Sequence, residues 1–115
     1  MSDRYYRDFI DGLVAISDSV AARRFKQGVW HPEPPPAQKK YDQLLSQLSL
    51  EQRELMAELL TQEKTAGIHD ALVYLQDNGV TISNREGESF SGSPFDTDLN
   101  YDYICRLQGD PWPKL

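Results

Sequence analysis

Residues 4–20 read RYYRDFIDGLVAISDSV, and this stretch decides the fold class. Its apolar residues recur at every third or fourth position, at Tyr6, Phe9, Leu13, Ile16 and Val20. This spacing places them along one side of a helix with 3.6 residues per turn, where they can pack against a core. Ser2 or Asp3 is a suitable N-cap residue, and Gly28 is a typical residue to follow a helix. We therefore predict a helix over about residues 3–27.

The middle of the chain carries the signals of two more helices. Helical spacing predicts a second helix over about residues 37–47 from Tyr41, Leu44, Leu45 and Leu48. Ser49 and Gln52 have the spacing of a capping box, so we predict a third helix over about residues 50–78. Gly67 is a poor helix former in its middle, and it predicts either a kink or close packing against another backbone.

The segment HPEPPP, residues 31–36, separates the first two helices. Proline lacks a backbone N–H and fixes its φ angle, so four prolines here forbid a helix and favour extended polyproline geometry. We interpret the segment as a stiff connector, with a ligand for a proline-binding groove as the alternative. Trp30, just before it, is expected on the rim of the core.

The last third follows a different pattern. Alternating apolar and polar residues predict a short strand or hairpin over residues 80–90. Residues 98–108 fit a strand as well as a helix, and we favour the helix because Asp98 can cap it and Gly109 can end it. We expect a single domain over residues 1–115. Its predicted fold is mainly α, a compact bundle of three or four helices with a short β element in the C-terminal third.

The charge of the chain argues against several classes of partner. It carries 18 acidic and 12 basic side chains, a formal net charge of −6. The basic residues are scattered except at residues 23–26, where a helix end explains them, whereas nucleic-acid binders present a basic face. We therefore expect neither nucleic acid nor a membrane as a partner, while an acidic chain permits a basic protein partner.

Hydropathy and cysteine usage favour the cytoplasm. No apolar stretch approaches the roughly 20 residues that cross a bilayer, and the first residues lack the apolar region of a signal peptide. The one cysteine, Cys105, has no partner for an internal disulfide, which favours a reducing compartment. We interpret Cys105 as a small buried apolar residue.

The segment DTDLNYD, residues 96–102, is a candidate metal site. Oxygen ligands at alternate positions begin a calcium-binding loop, and here they are Asp96, Asp98, Asn100 and Asp102. The sixth position of such a loop needs glycine and is Tyr101, and the twelfth needs glutamate and is Leu107. We therefore favour Asp98 as a helix cap and the other acids as solvent-exposed, with a weak or non-standard cation site as the alternative.

His69 and Asp70 are a second candidate, because histidine serves both as a base and as a metal ligand. No second histidine follows four residues later, and the adjacent Asp70 does not share a helix face with His69. We therefore favour a structural histidine. The chain has no Gly-x-Ser-x-Gly elbow and no glycine-rich phosphate loop, so we predict no catalytic residue and no cofactor.

Two stretches give the chain a resemblance: GIHDALVYL at residues 67–75 and YDYICRLQGDPWP at residues 101–113. With them it resembles a family of short, uncharacterised bacterial proteins, a domain of unknown function with an Ile-His-Asp helix and a Trp-Pro C-terminus. The resemblance implies a bacterial source and no particular activity. It singles out a candidate functional site of His69, Asp70, Arg106 and Trp112.

Small size, acidity and the absence of catalytic motifs favour a protein that binds another protein, in an interaction or an inhibitor or immunity-type role. A homodimer is a further expectation, because the long third helix could expose an unburied apolar face. The alternative is a small enzyme or a metal-dependent binding protein that uses His69 and the C-terminal acidic residues.

Overall fold

The computed structural model describes residues 3–30 and 33–114, most of which are helical. In chain order the elements are α1 (Arg4–Ile16), α2 (Val20–Lys26), a 3-10 helix (Pro36–Gln38), α3 (Lys39–Ser46), α4 (Leu50–Asp77), β1 (Ile82–Ser83), β2 (Ser89–Phe90) and α5 (Leu99–Leu107). The predicted mainly α fold with a short β element in the last third is confirmed. No helix in the described part of the chain is long and apolar enough to span a membrane.

The predicted continuous helix over residues 3–27 is wrong, because α1 ends at Ile16 and α2 begins at Val20. Two serines account for the break. Ser17 Oγ donates to the backbone oxygen of Leu13 at 2.7 Å, and Ser19 Oγ accepts from the backbone N–H of Ala22 at 3.0 Å as the cap of α2. Serine side chains compete in this way for backbone hydrogen bonds and begin new helices. Ser2 lies outside the described residues, and Asp3 makes no side-chain cap hydrogen bond.

The chain forms two compact units. Unit 1 comprises residues 3–17 and 66–114, and unit 2 comprises residues 18–30 and 33–65. Helix α4 therefore supplies its first part to unit 2 and its last part to unit 1. The expectation that residues 1–115 form one domain stays a prediction.

Unit 1 is built on the packing of α1 against α5. Its buried core consists of Tyr6, Ile10, Leu72, Leu99 and Tyr103. The core rests on helical spacing, because Tyr6 and Ile10 are one turn apart on α1, and Leu99 and Tyr103 are one turn apart on α5. Phe90, Phe95 and Trp112 pack around it as partly buried rings.

Unit 2 has a smaller core, made of Ala22, Phe25, Leu45 and Ala57. Trp30 lies on its rim as expected, with its ring centroid 5.6 Å from that of Phe25 and 5.4 Å from that of Tyr41. Of the proline segment, residues 31 and 32 lie outside the described residues, and Pro36 begins the 3-10 helix that precedes α3.

The predicted capping box begins α4. Ser49 Oγ accepts from the backbone N–H of Gln52 at 3.1 Å, and Gln52 Oε1 accepts from the backbone N–H of Ser49 at 2.9 Å. The helix then continues past Gly67 to Asp77. A Cβ atom at Gly67 would meet no atom within 4 Å in the described part, so the expected close packing against another backbone is wrong.

The hairpin of β1 and β2 is antiparallel and pairs Ile82 with Phe90. Asn84 holds its turn, because its Oδ1 accepts from the backbone N–H groups of Glu86 and Glu88, each at 3.0 Å. An asparagine that bonds its own downstream backbone in this way stabilises a tight turn. The hairpin thereby carries Phe90 onto α1, where its ring centroid lies 5.2 Å from that of Phe9.

For residues 98–108 we favour a helix over a strand, and α5 confirms the helix. Asp98 occupies the N-cap position, but its side chain makes no cap hydrogen bond, so that part of the prediction is wrong. Gln76 of α4 replaces it, since its Oε1 accepts from the backbone N–H of Leu99 at 3.0 Å. The start of α5 is thus satisfied by a tertiary contact, which leaves Asp98 exposed.

Candidate functional site

Arg106 and Trp112 meet at a residue that the sequence did not single out, Asp11 of α1. Arg106 Nε donates to Asp11 Oδ1 at 2.8 Å, and Trp112 Nε1 donates to Asp11 Oδ2 at 3.0 Å. The Arg106 guanidinium carbon also lies 5.1 Å from the centre of a Trp112 ring, within cation–π range. We call these three residues the Asp11 clasp. It ties the C-terminal segment to the first helix.

The electrostatics of the Asp11 clasp suit a structural role. Partial burial would raise the pKa of Asp11, but the hydrogen bonds from Arg106 and Trp112 outweigh it and lower that pKa below its usual value. Asp11 therefore stays ionised at neutral pH. Both of its oxygens are already engaged by donors from these two residues, so the clasp has little capacity left for a ligand.

His69 lies apart from this clasp, and no hydrogen bond or ion pair joins the two groups in the described residues. Its Nδ1 lies 3.4 Å from Asp70 Oδ1, and its Nε2 lies 3.3 Å from the Asn100 side-chain nitrogen. An amide nitrogen can only donate, so Nε2 accepts and Nδ1 carries the proton in the neutral ring. His69 thus reaches the predicted acidic segment through Asn100. Asp70 remains 82% exposed.

The candidate metal residues do not converge. Asp102 is buried, with 4% of its surface exposed, so the expectation that the acids other than Asp98 face water is wrong for this residue. In residues 3–30 and 33–114 no group of three histidine, cysteine, aspartate or glutamate side chains could hold a metal ion.

Asp102 instead accepts hydrogen bonds from three hydroxyl groups. Ser93 Oγ donates at 2.6 Å, Thr97 Oγ1 donates at 2.7 Å, and the third donor is the Tyr6 hydroxyl. Burial, followed by the hydrogen bond to Asp102, raises the pKa of Tyr6 far above its usual value. Tyr6 therefore stays protonated at neutral pH and donates to Asp102. We call these four residues the Asp102 network, and its three hydroxyl donors satisfy the buried carboxylate.

A pocket of about 370 Å³ opens in unit 1 beside this network. It is lined by the N-terminal end of α1, by the hairpin and by the loop that follows it, including Tyr5, Tyr6, Glu88, Phe90 and Pro94. Sequence reasoning missed it, because its walls lie more than 80 positions apart in the chain. The concentration of aromatic residues near the start of α1 was the available signal.

A second opening of about 330 Å³ shares Tyr5 and Glu88 with the pocket. It adds Arg4, Asp8 and Glu86 to the surface around them.

Comparison with known proteins gives a family. A family model described as a family of unknown function, DUF6547, matches residues 2–114, nearly the whole chain. The resemblance to a domain of unknown function is thereby confirmed. Neither the curated proteins nor the solved structures contain a significant match.

Proposed function

We propose that the chain, which belongs to this family of unknown function, acts by binding another protein through unit 2. One observation carries the proposal. Seven of the ten large apolar side chains that the described residues leave exposed belong to the smaller unit 2: Val20, Val29, Tyr41, Leu44, Leu50, Leu55 and Leu59. Clustering of exposed apolar side chains in one region is typical of interaction surfaces, whereas single ones are ordinary.

Leu55 and Leu59 of α4 are two of these seven exposed side chains. They are one helical turn apart, so they lie on the same face, and they are 55% and 61% exposed. The unit 2 core uses a different side of the same helix, where Ala57 is buried and Met56 and Leu60 pack against it. Helix α4 is therefore apolar on more than one side, and we call Leu55 and Leu59 the leucine face.

The charge of the chain narrows the class of partner. A net charge of −6 favours association with a basic protein, because complementary charge raises the rate of encounter and disfavours acidic partners. Small size and acidity suit an inhibitor or immunity-type role. We place this activity in a bacterial cytoplasm, on the grounds of the single cysteine and the family resemblance.

The test compares two double variants of α4. Leu55→Gln with Leu59→Gln removes the leucine face, and Glu54→Asp with Glu58→Asp, which keeps the charge at neighbouring exposed positions, is the control. Surface changes of this kind alter stability by about 0.5 kcal/mol or less per site, so both variants should fold. Quantitative affinity capture from the source organism and sedimentation of the purified protein are the two measurements.

We expect wild type and control to retain the same partner, and the leucine variant to lose it by about tenfold or more. A purified wild-type protein that self-associates, and a leucine variant that does not, would identify a second copy of the chain as the partner. Equal capture by the leucine variant, together with a monomeric wild type, would contradict the proposal.

A second candidate is a small enzyme or metal-dependent binder that uses His69 and the C-terminal acidic residues. The observation in its favour is the 3.3 Å approach of His69 Nε2 to the Asn100 side chain, with Asp70 beside the other ring nitrogen. Calorimetric titration with Zn²⁺ and Ca²⁺ tests it. Binding that is lost in His69→Ala but kept in Glu63→Gln would support it, and no heat of binding would reject it.

A further inference from the structure

The pocket of unit 1 has the size of a specific binding site. Its volume of about 370 Å³ falls within the range of roughly 300–1,000 Å³ that is usual for ligand sites. Its walls come from α1, from β2 with the preceding turn, and from residues 91–94. All of these belong to unit 1, whose core holds both walls in place.

Aromatic rings make up the apolar part of the pocket. The ring centroids of Tyr5 and Phe90 lie 5.5 Å apart and are tilted by 55°, and those of Tyr6 and Phe90 lie 5.0 Å apart, edge to face. Tyr6 is only 2% exposed and its hydroxyl donates to Asp102, so Tyr5 and Phe90 supply the accessible aromatic surface of the pocket. An occupant therefore meets flat aromatic surface and needs an extended or planar group.

The rim of the pocket is acidic. Asp3 and Glu88 line it, and the adjoining opening adds Asp8 and Glu86 against a single base, Arg4. Asp8 forms an ion pair with Arg4 at 3.7 Å, and Asp3 forms one with Arg7 at 3.2 Å. Among the salt bridges of the described residues, none involves Glu86 or Glu88.

We propose that this pocket receives an arginine side chain of a partner protein. The alkyl stem of the arginine packs on Tyr5 and Phe90, and its planar guanidinium faces the Glu88 carboxylate and stacks against a ring. Glu88 has capacity for this, since within residues 3–30 and 33–114 its carboxylate accepts one hydrogen bond, which Asn84 donates at 3.1 Å. An anion would be repelled by the acidic rim. An uncharged apolar group would remove water from the acidic side chains without donating hydrogen bonds to them.

Arginine suits the site better than lysine. Its guanidinium can stack on an aromatic face and donate two parallel hydrogen bonds to one carboxylate, whereas the lysine ammonium is a compact, strongly hydrated charge. The inference rests on the proposed function, because it assumes a protein partner and names the side chain with which that partner contacts the pocket. It is nevertheless located in unit 1 and is independent of the leucine face.

The experiment titrates the full-length protein with N-acetyl-arginine N-methylamide, followed by amide chemical shifts in NMR. The matched probe is the citrulline analogue, which has nearly the same shape and no charge. We expect saturating shifts at Tyr5 and at residues 88–91, and affinity for citrulline lower by about tenfold, because the charged hydrogen bond and the cation–π contact are both lost. Lysine amide should bind more weakly than the arginine probe.

Glu88→Gln is the decisive variant, because Glu88 is exposed and its loss should leave the fold intact. We expect it to weaken the arginine probe by about tenfold and to leave citrulline unchanged. Glu63→Gln, on an exposed position of unit 2, is the control and should bind as wild type does. Equal affinity for arginine and citrulline, shifts away from the pocket, or no saturation would each overturn the inference.

The two proposals fail in distinguishable ways. Loss of partner capture in the leucine variant, with no response to the arginine probe, removes the arginine site and keeps the leucine face. A probe response that survives in Leu55→Gln with Leu59→Gln, alongside unchanged capture, removes the leucine face and keeps the arginine site.

Discussion

Unit 1 and unit 2 differ both in what they bury and in what they leave in water. Unit 1 encloses two tyrosines with three aliphatic side chains, and pairs the hydroxyls of both tyrosines with internal partners. Two of the four residues in the unit 2 core are alanines, and leucines of α3 and α4 remain exposed beside it. The comparison shows that buried, hydrogen-bonded side chains and exposed apolar side chains can predominate in different parts of one small chain. Unit 2 exposes more large apolar side chains, whereas unit 1 has an open pocket lined by aromatic and acidic residues.

The largest expected effect comes from the Asp102 network. Asp102→Ala leaves three hydroxyl donors in a buried environment without their acceptor, and should lower the free energy of unfolding by about 3 kcal/mol or more. Chemical denaturation measures it. Asp70→Ala, at an 82% exposed position, should change stability by less than about 0.5 kcal/mol. A loss below 1 kcal/mol in Asp102→Ala would mean that water satisfies these hydroxyls.

The next effect tests how far the two units depend on each other. Leu45→Ala removes the largest aliphatic side chain of the unit 2 core and should cost about 2–3 kcal/mol. Because α4 contributes residues to both units, we expect amide hydrogen exchange to rise in both. Faster exchange confined to residues 18–65 would show that unit 2 opens alone, and would contradict the single-domain prediction.

A smaller effect is expected at the end of α2. Gly28 has a φ of 81°, and a Cβ atom there would lie 2.3 Å from Arg53 Nη1. Gly87 has the same φ, but a Cβ atom there would meet nothing within 4 Å. Gly28→Ala should therefore lower the free energy of unfolding by about 1–2 kcal/mol, and Gly87→Ala by about 1 kcal/mol. Thermal unfolding measures both. Equal losses would show that Arg53 moves aside freely.

The smallest effect concerns pH and the Asp11 clasp. The folded-state pKa of Asp11 is lowered, so its contribution is present above the unfolded pKa and is lost as pH falls through the folded pKa. We expect the Asp11 clasp to contribute about 1 kcal/mol to the free energy of unfolding at neutral pH, because solvent screens a pair that is partly exposed. Wild type should lose this contribution on acidification below about pH 4, whereas Asp11→Asn should lack it at every pH.

The parts of this fold that could be predicted depend on neighbours in sequence. The capping box of Ser49 and Gln52 and the apolar spacing of residues 41–48 act within one or two turns, so α3 and α4 are found close to their expected bounds. The break between α1 and α2 also has a local signal in the sequence. Ser17 and Ser19 carry it, but the apolar spacing that continues to Val20 predicts the opposite.

The parts that could not be predicted depend on distant partners. Asp11 pairs with Arg106 and Trp112, which lie roughly a hundred positions away in the chain, and the Tyr6 donor of Asp102 cannot be assigned until α1 packs on α5. The resemblance singled out Arg106 and Trp112 without their partner. It also gave no sign of the pocket, whose walls meet only through the hairpin.

The placement of the two tryptophans has a practical consequence. Trp30 belongs to unit 2 and Trp112 to unit 1, and the sequence has no others. A Trp30→Phe protein and a Trp112→Phe protein would thus each carry a single fluorophore that reports on one unit. Emission spectra and acrylamide quenching of this pair could follow each half of the chain separately in real time, with no added label.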